Sequence, residues 1–532
     1  MKQYENIIIG AGPAGLQLGY FFQKNNINYI IIEKGKNVAT FFSKYPHTEN
    51  LISINKKYTG NDNKEFNLRH DWNSLLNDEN LLFTNYSEEY YPSNKDLVRY
   101  LNDFAIKNKL NIVYNSHVIK VDKSDLKYNL EIIENEKKIQ YECKKLIVAT
   151  GLSKLVKPNI VYNTKTPILH YGEFPKNYFK KDENLQKFKN KSLLIFGNGN
   201  SAFELANYLN KYCSTITILG RRYKPWAMST HYTGDLRSIY LPLYDTFLLK
   251  SLNAIIWKTS IYKYVIEQQN ENDKYNIKSL CSPECNIKHI CPLEKGKDSY
   301  FDHIILCTGW GFDNSIFNFN ILSTDNNKYP AIKSNFESIN NENLFFIGSL
   351  MHSFDYKKSS GGFIHGFRYL IKHFFNTNYL KKYDIIKLST IDILVDHILY
   401  NINISSSLYQ MYGKLSDTFF IENNEFIYLN AVPINFFEGL KHSPKRYYFV
   451  ITLEYGETEI TDITEFGKRI SYVGFENKSP LLHPVIRIYQ VLNDLKTINE
   501  IDEVHFDEDL YSEFTYDLKY KDKLIRTIKM FL

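Results

Sequence analysis

The chain has 532 residues, a formal net charge of +6, and 43% hydrophobic and 23% charged residues. This length predicts roughly two to four domains, and the composition is typical of a soluble multidomain enzyme. The positive charge is spread thinly and no long Lys/Arg block is present, so nucleic acid is not expected as a partner. No apolar run reaches the ~18 residues that a membrane helix requires. Since a committed strand follows Met1 so closely, we expect no signal peptide and a cytoplasmic protein with six thiols.

A glycine-rich loop lies near the start of the chain. The sequence GAGPAG at residues 10–15 follows the apolar run NIII at residues 6–9 and opens a helical stretch. In such a strand–loop–helix unit the first glycine permits a tight turn, and the second lets the backbone approach a pyrophosphate. The third small residue lets the helix and strand pack closely. Glu33 ends the next strand, where a carboxylate can accept a hydrogen bond from a ribose hydroxyl.

Short predicted elements follow this unit. The pattern predicts an amphipathic helix over residues 97–107, then strands over 112–121, 128–133 and 139–142. Residues 146–150 form a separate buried strand that ends at Gly151, and a linker begins at Pro158.

A second loop, GNGNSA at residues 197–202, follows the apolar run LLIF at 193–196. The next strand ends in Arg221 and Arg222, and a basic pair there suits a 2′-phosphate, which favours NADPH over NADH. The alternative is that both arginines are solvated surface charges. Two loops of this kind indicate two dinucleotides, and FAD with NADPH is the economical pair. Flavoproteins with two such domains usually place the FAD loop first, so we assign FAD to the first loop.

The rest of the chain returns to the first unit and then leaves it. Residues 302–309 repeat the strand-to-glycine design, and residues 343–348 form a strand that ends at Gly348. A helix over 363–375 follows, and mixed segments after residue 380 suggest an α+β extension. The predicted fold class is α/β, with two Rossmann-like three-layer dinucleotide-binding domains and the NADPH domain inserted in the FAD domain. The expected bounds are 1–160 and 319–380 for the FAD domain, 161–318 for the NAD(P)H domain and 381–532 for the extension.

Several longer motifs carry a family resemblance. They are NLRHDWN at 67–73, YPS at 91–93, THY at 230–232, GDLR at 234–237, SSGGFIHGFRY at 359–369, YQM at 409–411, LEYG at 453–456 and LHPVI at 482–486. With the GNGNSA loop, they resemble the flavin-containing monooxygenase-like superfamily of two-domain flavoproteins. The resemblance is closer to the flavoproteins linked to endoplasmic-reticulum-associated degradation, although we do not expect the luminal targeting of that group. It covers most of the chain.

The resemblance implies a function and a set of site residues. It implies an FAD-dependent, NADPH-using oxidoreductase, most simply a monooxygenase that inserts oxygen into a small amine or sulfide through a C4a-peroxyflavin. Asn55 is the implied catalytic residue beside the flavin, the alternative being a turn or cap asparagine. Ser349 stands where related reductases have an aspartate. The candidate cofactor-binding residues are Gly10, Gly12, Pro13, Ala14, Gly15, Glu33, Lys34, Val118, Ala149, Thr150, Gly151, Gly197, Gly199, Asn200, Ser201, Ala202, Arg221, Arg222, Gly348, Ser349 and Gly362.

A cysteine cluster leaves other mechanisms open. Cys281, Cys285, His289 and Cys291 lie in one polar stretch, but their spacing suits a zinc tetrahedron poorly, and we predict no metal. They are either ordinary thiols or a redox pair, which would make the protein a reductase of a dithiol, disulfide or quinone. A third reading is a flavin-stabilised scaffold whose C-terminal extension binds a protein partner.

Overall fold

The structure is a computed structural model that describes residues 2–221, 224–250, 255–259, 264–271, 273–279, 299–324, 327–383, 385–434, 446–456, 476–479, 481–492, 497–506, 514 and 518–531. The helices, in chain order, are α1 (Pro13–Lys24), α2 (Lys64–Leu68), α3 (Asn94–Lys107), α4 (Asp182–Leu185), α5 (Asn200–Leu209), α6 (Ala227–Thr230), α7 (Leu241–Lys250), α8 (Ile364–Phe375), α9 (Ile391–Ile404), α10 (Ser406–Gln410) and α11 (Leu518–Lys529).

The strands fall into five sheets. In chain order they are β1 (Lys2–Ile9), β2 (Tyr29–Ile32), β3 (Ile112–Val113), β4 (Ser116–Ser124), β5 (Lys127–Glu134), β6 (Lys137–Val148), β7 (Lys154–Leu155), β8 (Val161–Asn163), β9 (Leu169–His170), β10 (Ser192–Phe196), β11 (Thr215–Gly220), β12 (Ile255–Thr259), β13 (Tyr264–Glu267), β14 (Tyr275–Ser279), β15 (Ser299–Phe301), β16 (His303–Leu306), β17 (Trp310–Gly311), β18 (Leu344–Phe346), β19 (Ile385–Leu388), β20 (Leu415–Glu422), β21 (Glu425–Pro433), β22 (Arg446–Glu454), β23 (His483–Leu492) and β24 (Thr497–His505).

The first sheet is built around a run of buried isoleucines. Its parallel part has the order β3-β2-β1-β6-β18, and β5 and β4 extend it in antiparallel fashion from the other half of β6. Ile7 and Ile8 of β1 point to opposite faces, and both are fully buried because helices or loops cover each side. Helices α1 and α8 pack against each other in the layer above the sheet.

Several predicted boundaries were wrong. The strand predicted over 112–121 is two strands, β3 and β4. The strands predicted over 139–142 and 146–150 are one strand, β6, which pairs with β5 at its start and lies between β1 and β18 at its end. Lys144 and Lys145, which separate the two predicted segments, lie where β6 changes partner. Helix α3 begins at Asn94, because the Ser93 side chain accepts a hydrogen bond from the Lys95 amide. Helix α8 begins at Ile364, with Phe363 as its N-cap.

The second parallel sheet has the order β12-β11-β10-β16-β9, and a small sheet, β15-β14-β13-β8, lies beside it. Strand β18 then joins β6 in the first sheet, so the chain leaves the first nucleotide unit, builds the second and returns. This confirms the predicted fold class, in which one dinucleotide domain is inserted in the other. The exact domain bounds stay a prediction.

The C-terminal part forms its own antiparallel sheet, in the order β19-β21-β20-β22-β23-β24, with α9 and α11 packed together against one core. Two buried arginines connect this part to the first domain. Arg69 donates from Nη2 to the Ile402 carbonyl at 2.7 Å and from Nε to the Ser405 carbonyl at 3.2 Å. Arg368 donates to the Leu68 carbonyl at 2.7 Å and to the Ser406 hydroxyl at 3.3 Å. Across the described ranges, no helix combines the length and apolar character needed to cross a membrane.

Candidate functional site

The first loop leaves a space beside its second glycine. Gly10 has φ +106°, and a Cβ there would lie 2.9 Å from the Ala149 carbonyl oxygen. Gly12 is the N-cap of α1, no side chain caps the helix, and a Cβ at this position would meet nothing within 4 Å. A Cβ at Gly15 would overlap the Gly10 carbonyl, so helix and strand approach here as closely as glycine allows. Pro13 occupies the first helical turn, where its missing N–H costs nothing. The exposed amides and the open space fit a dinucleotide pyrophosphate.

The predicted ribose acceptor contacts the loop itself. The Glu33 carboxylate is buried and accepts hydrogen bonds at 2.8 Å from the Ala11 amide, the Gly35 amide and the Thr40 hydroxyl. These bonds fix the carboxylate beside the loop, and Oε2, which accepts only the Ala11 amide, keeps a lone pair for a ribose hydroxyl. Lys34 is exposed, whereas Val118 is buried in β4.

The carboxyl ends of three strands meet at this loop. Gly348, after β18, has φ +72°, and a Cβ there would lie 2.5 Å from the Ala14 Cβ. A Cβ at Gly151, after β6, would lie 3.5 Å from the Ser349 hydroxyl oxygen, and Thr150 precedes that glycine. The structure thus brings together the residues predicted from three distant segments, at the edge where ligands bind in open α/β sheets.

The second loop repeats the design. Gly197 has φ +103° and a Cβ there would overlap the Cys307 carbonyl, whereas a Cβ at Gly199 would meet nothing within 4 Å. Gly199 is the N-cap of α5, Ser201 lies in its first turn, and Ala202 takes the third, fully buried position. The Asn200 side chain is already hydrogen-bonded within the protein. Its Nδ2 donates to the Asp235 carbonyl at 2.8 Å, and its Oδ1 accepts from the Arg237 amide at 3.1 Å. Arg221 follows β11 and is exposed, while Arg222 lies outside the described residues.

Asn55 is buried and its two side-chain ends differ. Its Nδ2 donates to the Ser87 carbonyl at 2.8 Å and to the Glu89 carbonyl at 3.3 Å, which joins two loops of the first domain. Its Oδ1 is buried and has no hydrogen-bond partner. Native proteins leave few buried acceptors unpaired, and a ligand is one way of satisfying such an atom. The flavin-facing role of Asn55 stays a prediction.

A buried relay, absent from the sequence prediction, lies where the two nucleotide domains meet. His352 Nδ1 is 2.7 Å from Asp355 Oδ1, and His352 Nε2 is 2.9 Å from the Tyr232 hydroxyl. The other Asp355 oxygen accepts from the Gly361 amide at 2.7 Å. A Cβ at Gly362 would lie 2.8 Å from the His352 ring, so the glycine pair that precedes α8 is needed for this packing. The His-x-x-Asp spacing at 352–355 was the one sequence pattern that could have revealed the relay.

The described cysteines are poor nucleophiles. Cys143, Cys213 and Cys307 are unpaired, and burial raises the thiol pKa of each, to about 12 for Cys213 and further for the other two. A thiol with a raised pKa carries little thiolate, which is the reactive form. The cluster from Cys281 to Cys291 lies outside the described residues. In the part of the chain that the structure describes, no group of three His, Cys, Asp or Glu side chains could hold a metal ion.

Two dinucleotide loops on two parallel sheets, with the second unit inserted in the first, define the class of FAD-dependent oxidoreductases with two dinucleotide-binding domains. The family model described as pyridine nucleotide-disulphide oxidoreductase matches residues 7–348. FAD-dependent oxidoreductase domain-containing protein 2 of Mus musculus is 35% identical over 515 residues, which are 91% of this chain and 76% of that protein. The Danio rerio protein of the same name is 31% identical, over 92% of this chain and 76% of its own length. The chain therefore belongs to the pyridine nucleotide-disulphide oxidoreductase family, in the group of these two proteins.

Solved structures give the same architecture. A flavin-containing monooxygenase from Stenotrophomonas maltophilia superposes with a TM-score of 0.50 at 15% identity, over 70% of this chain and 97% of that one. The bacillithiol disulfide reductase Bdr from Staphylococcus aureus superposes with a TM-score of 0.50 at 20% identity, over 72% of this chain and all of the other. At these identities the likeness concerns the fold, which both monooxygenases and disulfide reductases use.

Proposed function

We propose that this protein is an NADPH-dependent flavin monooxygenase that transfers one oxygen atom of dioxygen to a small amine or sulfide and releases the other as water. The observation that carries the proposal is the character of the region between the two loops. Among the described residues it holds a buried polar relay and stacked aromatic rings, while the described thiols all have raised pKa values. Buried polar groups packed among stacked rings keep water away from the site. Oxygen transfer requires this exclusion of water, whereas thiol exchange does not.

The first loop would hold FAD and the second loop NADPH, and the bound pair would supply the electrons that activate dioxygen. The side chains of the protein itself would position the reactants and supply protons. With the His352 Nδ1–H donating a hydrogen bond to Asp355, Nε2 is the acceptor for the Tyr232 hydroxyl. Burial raises the pKa of Tyr232, so its hydroxyl stays protonated and can donate. The relay thereby keeps a proton at the junction of the two cofactor domains.

The proposed reaction is tested with labelled dioxygen. Holoenzyme, NADPH and a panel of amines and sulfides are incubated under labelled oxygen, and label in the organic product is measured by mass. Incorporation that depends on the added substrate supports oxygen transfer. NADPH oxidation that gives only hydrogen peroxide with every substrate, and fast reduction of an added disulfide or quinone, would instead support a reductase.

Asn55 should control how oxygen is used. We expect Asn55→Ala to leave NADPH-driven flavin reduction within about a few-fold, while the yield of oxygenated product per NADPH falls by about tenfold or more. The reason is that the unpaired Oδ1 is the acceptor available to a polar group of the reacting oxygen species. Hydrogen peroxide formed per NADPH consumed is the measurement.

Asn77 provides a matched control for Asn55. It is also buried, and its Nδ2 donates to the Leu75 and Leu81 carbonyls, but its Oδ1 is already satisfied by the Glu79 and Leu81 amides. Asn77→Ala therefore removes comparable loop contacts without removing a free acceptor. Equal uncoupling in both variants would show that Asn55 acts through loop stability alone.

Arg221 should set the choice of nicotinamide. We expect Arg221→Ala to raise the KM for NADPH and to leave NADH use nearly unchanged, because only NADPH carries the 2′-phosphate. A lost charge-assisted bond corresponds to about 1.5–3 kcal/mol, or roughly ten- to one-hundred-fold in KM. Lys211→Ala, which removes another exposed cation of the same domain, should change neither constant. An equal loss with both nucleotides would contradict the assignment. The double variant with Arg222→Ala extends the test to the predicted pair.

The alternatives have direct tests. A thiol mechanism requires Cys281→Ser or Cys285→Ser to abolish turnover while Asn55→Ala has no effect. A protein-binding role for residues 381–532 requires a partner that binds this part whether or not the flavin is reduced.

We further propose that the protein is located in the cytoplasm, on the ground that the three described cysteines are unpaired thiols.

A further inference from the structure

Arg237 is a buried cation without a counter-charge. Only 8% of the residue is exposed, and its Nη1 has no hydrogen-bond partner. Across the described ranges, no carboxylate forms an ion pair with this guanidinium, and the ionisable groups that interact with it are the hydroxyls of Tyr91, Tyr90 and Tyr240 and the His365 ring. A guanidinium stays charged when buried, and an unpaired buried charge is strongly unfavourable unless something completes it.

The position of Arg237 joins the two cofactor sites. Its backbone amide donates to Asn200 Oδ1, in the first turn of α5 beside the second loop. Its guanidinium lies 4.7 Å from the centre of the Trp72 ring, and Trp72 stacks on His365 at 4.2 Å. His365 stacks on Phe363, which follows the glycine pair that packs on the relay. The side chain therefore reaches from the nicotinamide loop to an aromatic wall of the FAD domain.

Packing alone does not account for this arrangement. The contact with Trp72 satisfies one face of the guanidinium, but a cation–π contact cannot replace hydrogen bonds to five N–H donors. Other buried arginines of this chain show the usual solution, since Arg69 and Arg368 donate to backbone carbonyls at 2.7 Å. Arg237 makes no such bond among the described residues. A guanidinium left open beside flat aromatic rings is the arrangement that binds planar carboxylates and phosphates.

We propose that Arg237 binds an anionic oxygen group of a ligand seated between the two cofactor sites. The group is either a carboxylate of the substrate or a phosphate of the nucleotide. The inference deepens the proposed function by naming a charge class for its ligand, and it rests on that function only in placing a substrate at this junction. Trp72 would provide the face on which a flat ligand lies.

The test measures binding to the oxidised holoenzyme, without NADPH and without turnover. The probes are benzoate, its neutral analogue benzamide, and NADP⁺, each titrated by flavin absorbance and by calorimetry. If the group is a substrate carboxylate, the wild type binds benzoate in preference to benzamide. Arg237→Gln then lowers the affinity for benzoate by at least about tenfold and changes the affinity for NADP⁺ by less than about twofold. If the group is a nucleotide phosphate, Arg237→Gln instead lowers the affinity for NADP⁺ by at least about tenfold. Either result supports the anion site.

Control variants keep the test decisive. Arg99→Gln removes an exposed arginine that pairs with Asp96, and it should change no affinity. If Arg237→Gln loses FAD or folds poorly, Arg237→Lys takes its place, because lysine keeps the charge but cannot form the two parallel bonds of a guanidinium. The lysine variant should then bind the responsive anion several-fold more weakly. Unchanged affinity for both anions in a folded variant would overturn the inference, as would equal losses of benzoate and benzamide. Because no oxygen is consumed, failure of the monooxygenase proposal leaves this result standing.

Discussion

Gly12→Val should give a folded but colourless protein. Gly12 has φ −78° and ψ −178°, which any residue adopts, and a Cβ there would meet nothing within 4 Å. The valine side chain would instead fill the space through which the pyrophosphate of FAD approaches the helix amides. We therefore expect FAD retention to be abolished while far-ultraviolet circular dichroism stays as in the apoprotein. FAD released on denaturation, per mole of protein, is the measurement.

The second loop allows the reciprocal experiment. Gly199 has φ −89° and ψ −175°, and its Cβ position is equally open. Gly199→Val should keep the protein yellow and weaken NADPH binding by about tenfold or more, which corresponds to at least about 1.4 kcal/mol. Each variant is thus the control for the other.

Two outcomes would contradict this pair of assignments. A yellow Gly12→Val protein with normal FAD content would mean that the first loop does not hold the flavin. Loss of FAD in Gly199→Val, with NADPH binding unchanged, would reverse the order of the cofactors. Gly15→Ala should prevent the loop from forming, because the added Cβ would overlap the Gly10 carbonyl.

Stability should fall with rising pH because of Glu204. This carboxyl group on α5 is buried, and its Oε1 accepts from the Tyr171 hydroxyl at 2.8 Å and from the Thr48 hydroxyl at 2.9 Å. Burial raises its pKa from 4.5 to about 7, although the bonds from Tyr171 and Thr48 act in the opposite direction. Between these two pH values the folded protein holds a proton that the unfolded chain has released. The free energy of unfolding therefore decreases through this window, by up to about 3 kcal/mol at pH 8.

Glu204→Gln should remove this part of the pH dependence. A glutamine oxygen can still accept from Tyr171 and Thr48, but it cannot ionise. The difference in urea midpoint between variant and wild type should be small at pH 4.5 and should favour the variant by pH 8. Glu183→Gln, at an exposed position of the same domain, should follow the wild type throughout. Parallel wild-type and Glu204→Gln curves would show that Glu204 does not titrate in this range.

The parts of the fold that sequence predicted are those with a local physical signature. The isoleucine run of β1, the glycine loops and the return of the chain through β18 each rest on a few adjacent residues. The open spaces at Gly12 and Gly199 fit the same pattern. Strand β6 was divided in two because local polarity at Lys144 and Lys145 conceals a change of strand partner.

The missed parts of the candidate site depend on contacts between distant segments. Tyr232 and His352 are separated by 120 positions, and neither has a neighbour in sequence that indicates the other. Arg237 could be noticed only as part of a family motif, since its lack of a counter-charge is a property of the folded surroundings. A buried unpaired group cannot be recognised before its burial is known, so such sites emerge from the structure alone.

The paired arginines Arg69 and Arg368 carry a consequence for how this chain can change. The Arg69 side chain donates to the Ile402 and Ser405 carbonyls, and Gln410 Nε2 donates to the Arg69 carbonyl at 2.6 Å. A chain that ended near residue 380 would lack both of these carbonyls, and the Arg69 guanidinium would lose its acceptors. We therefore expect the C-terminal part to fold together with the flavin half rather than as an independent module.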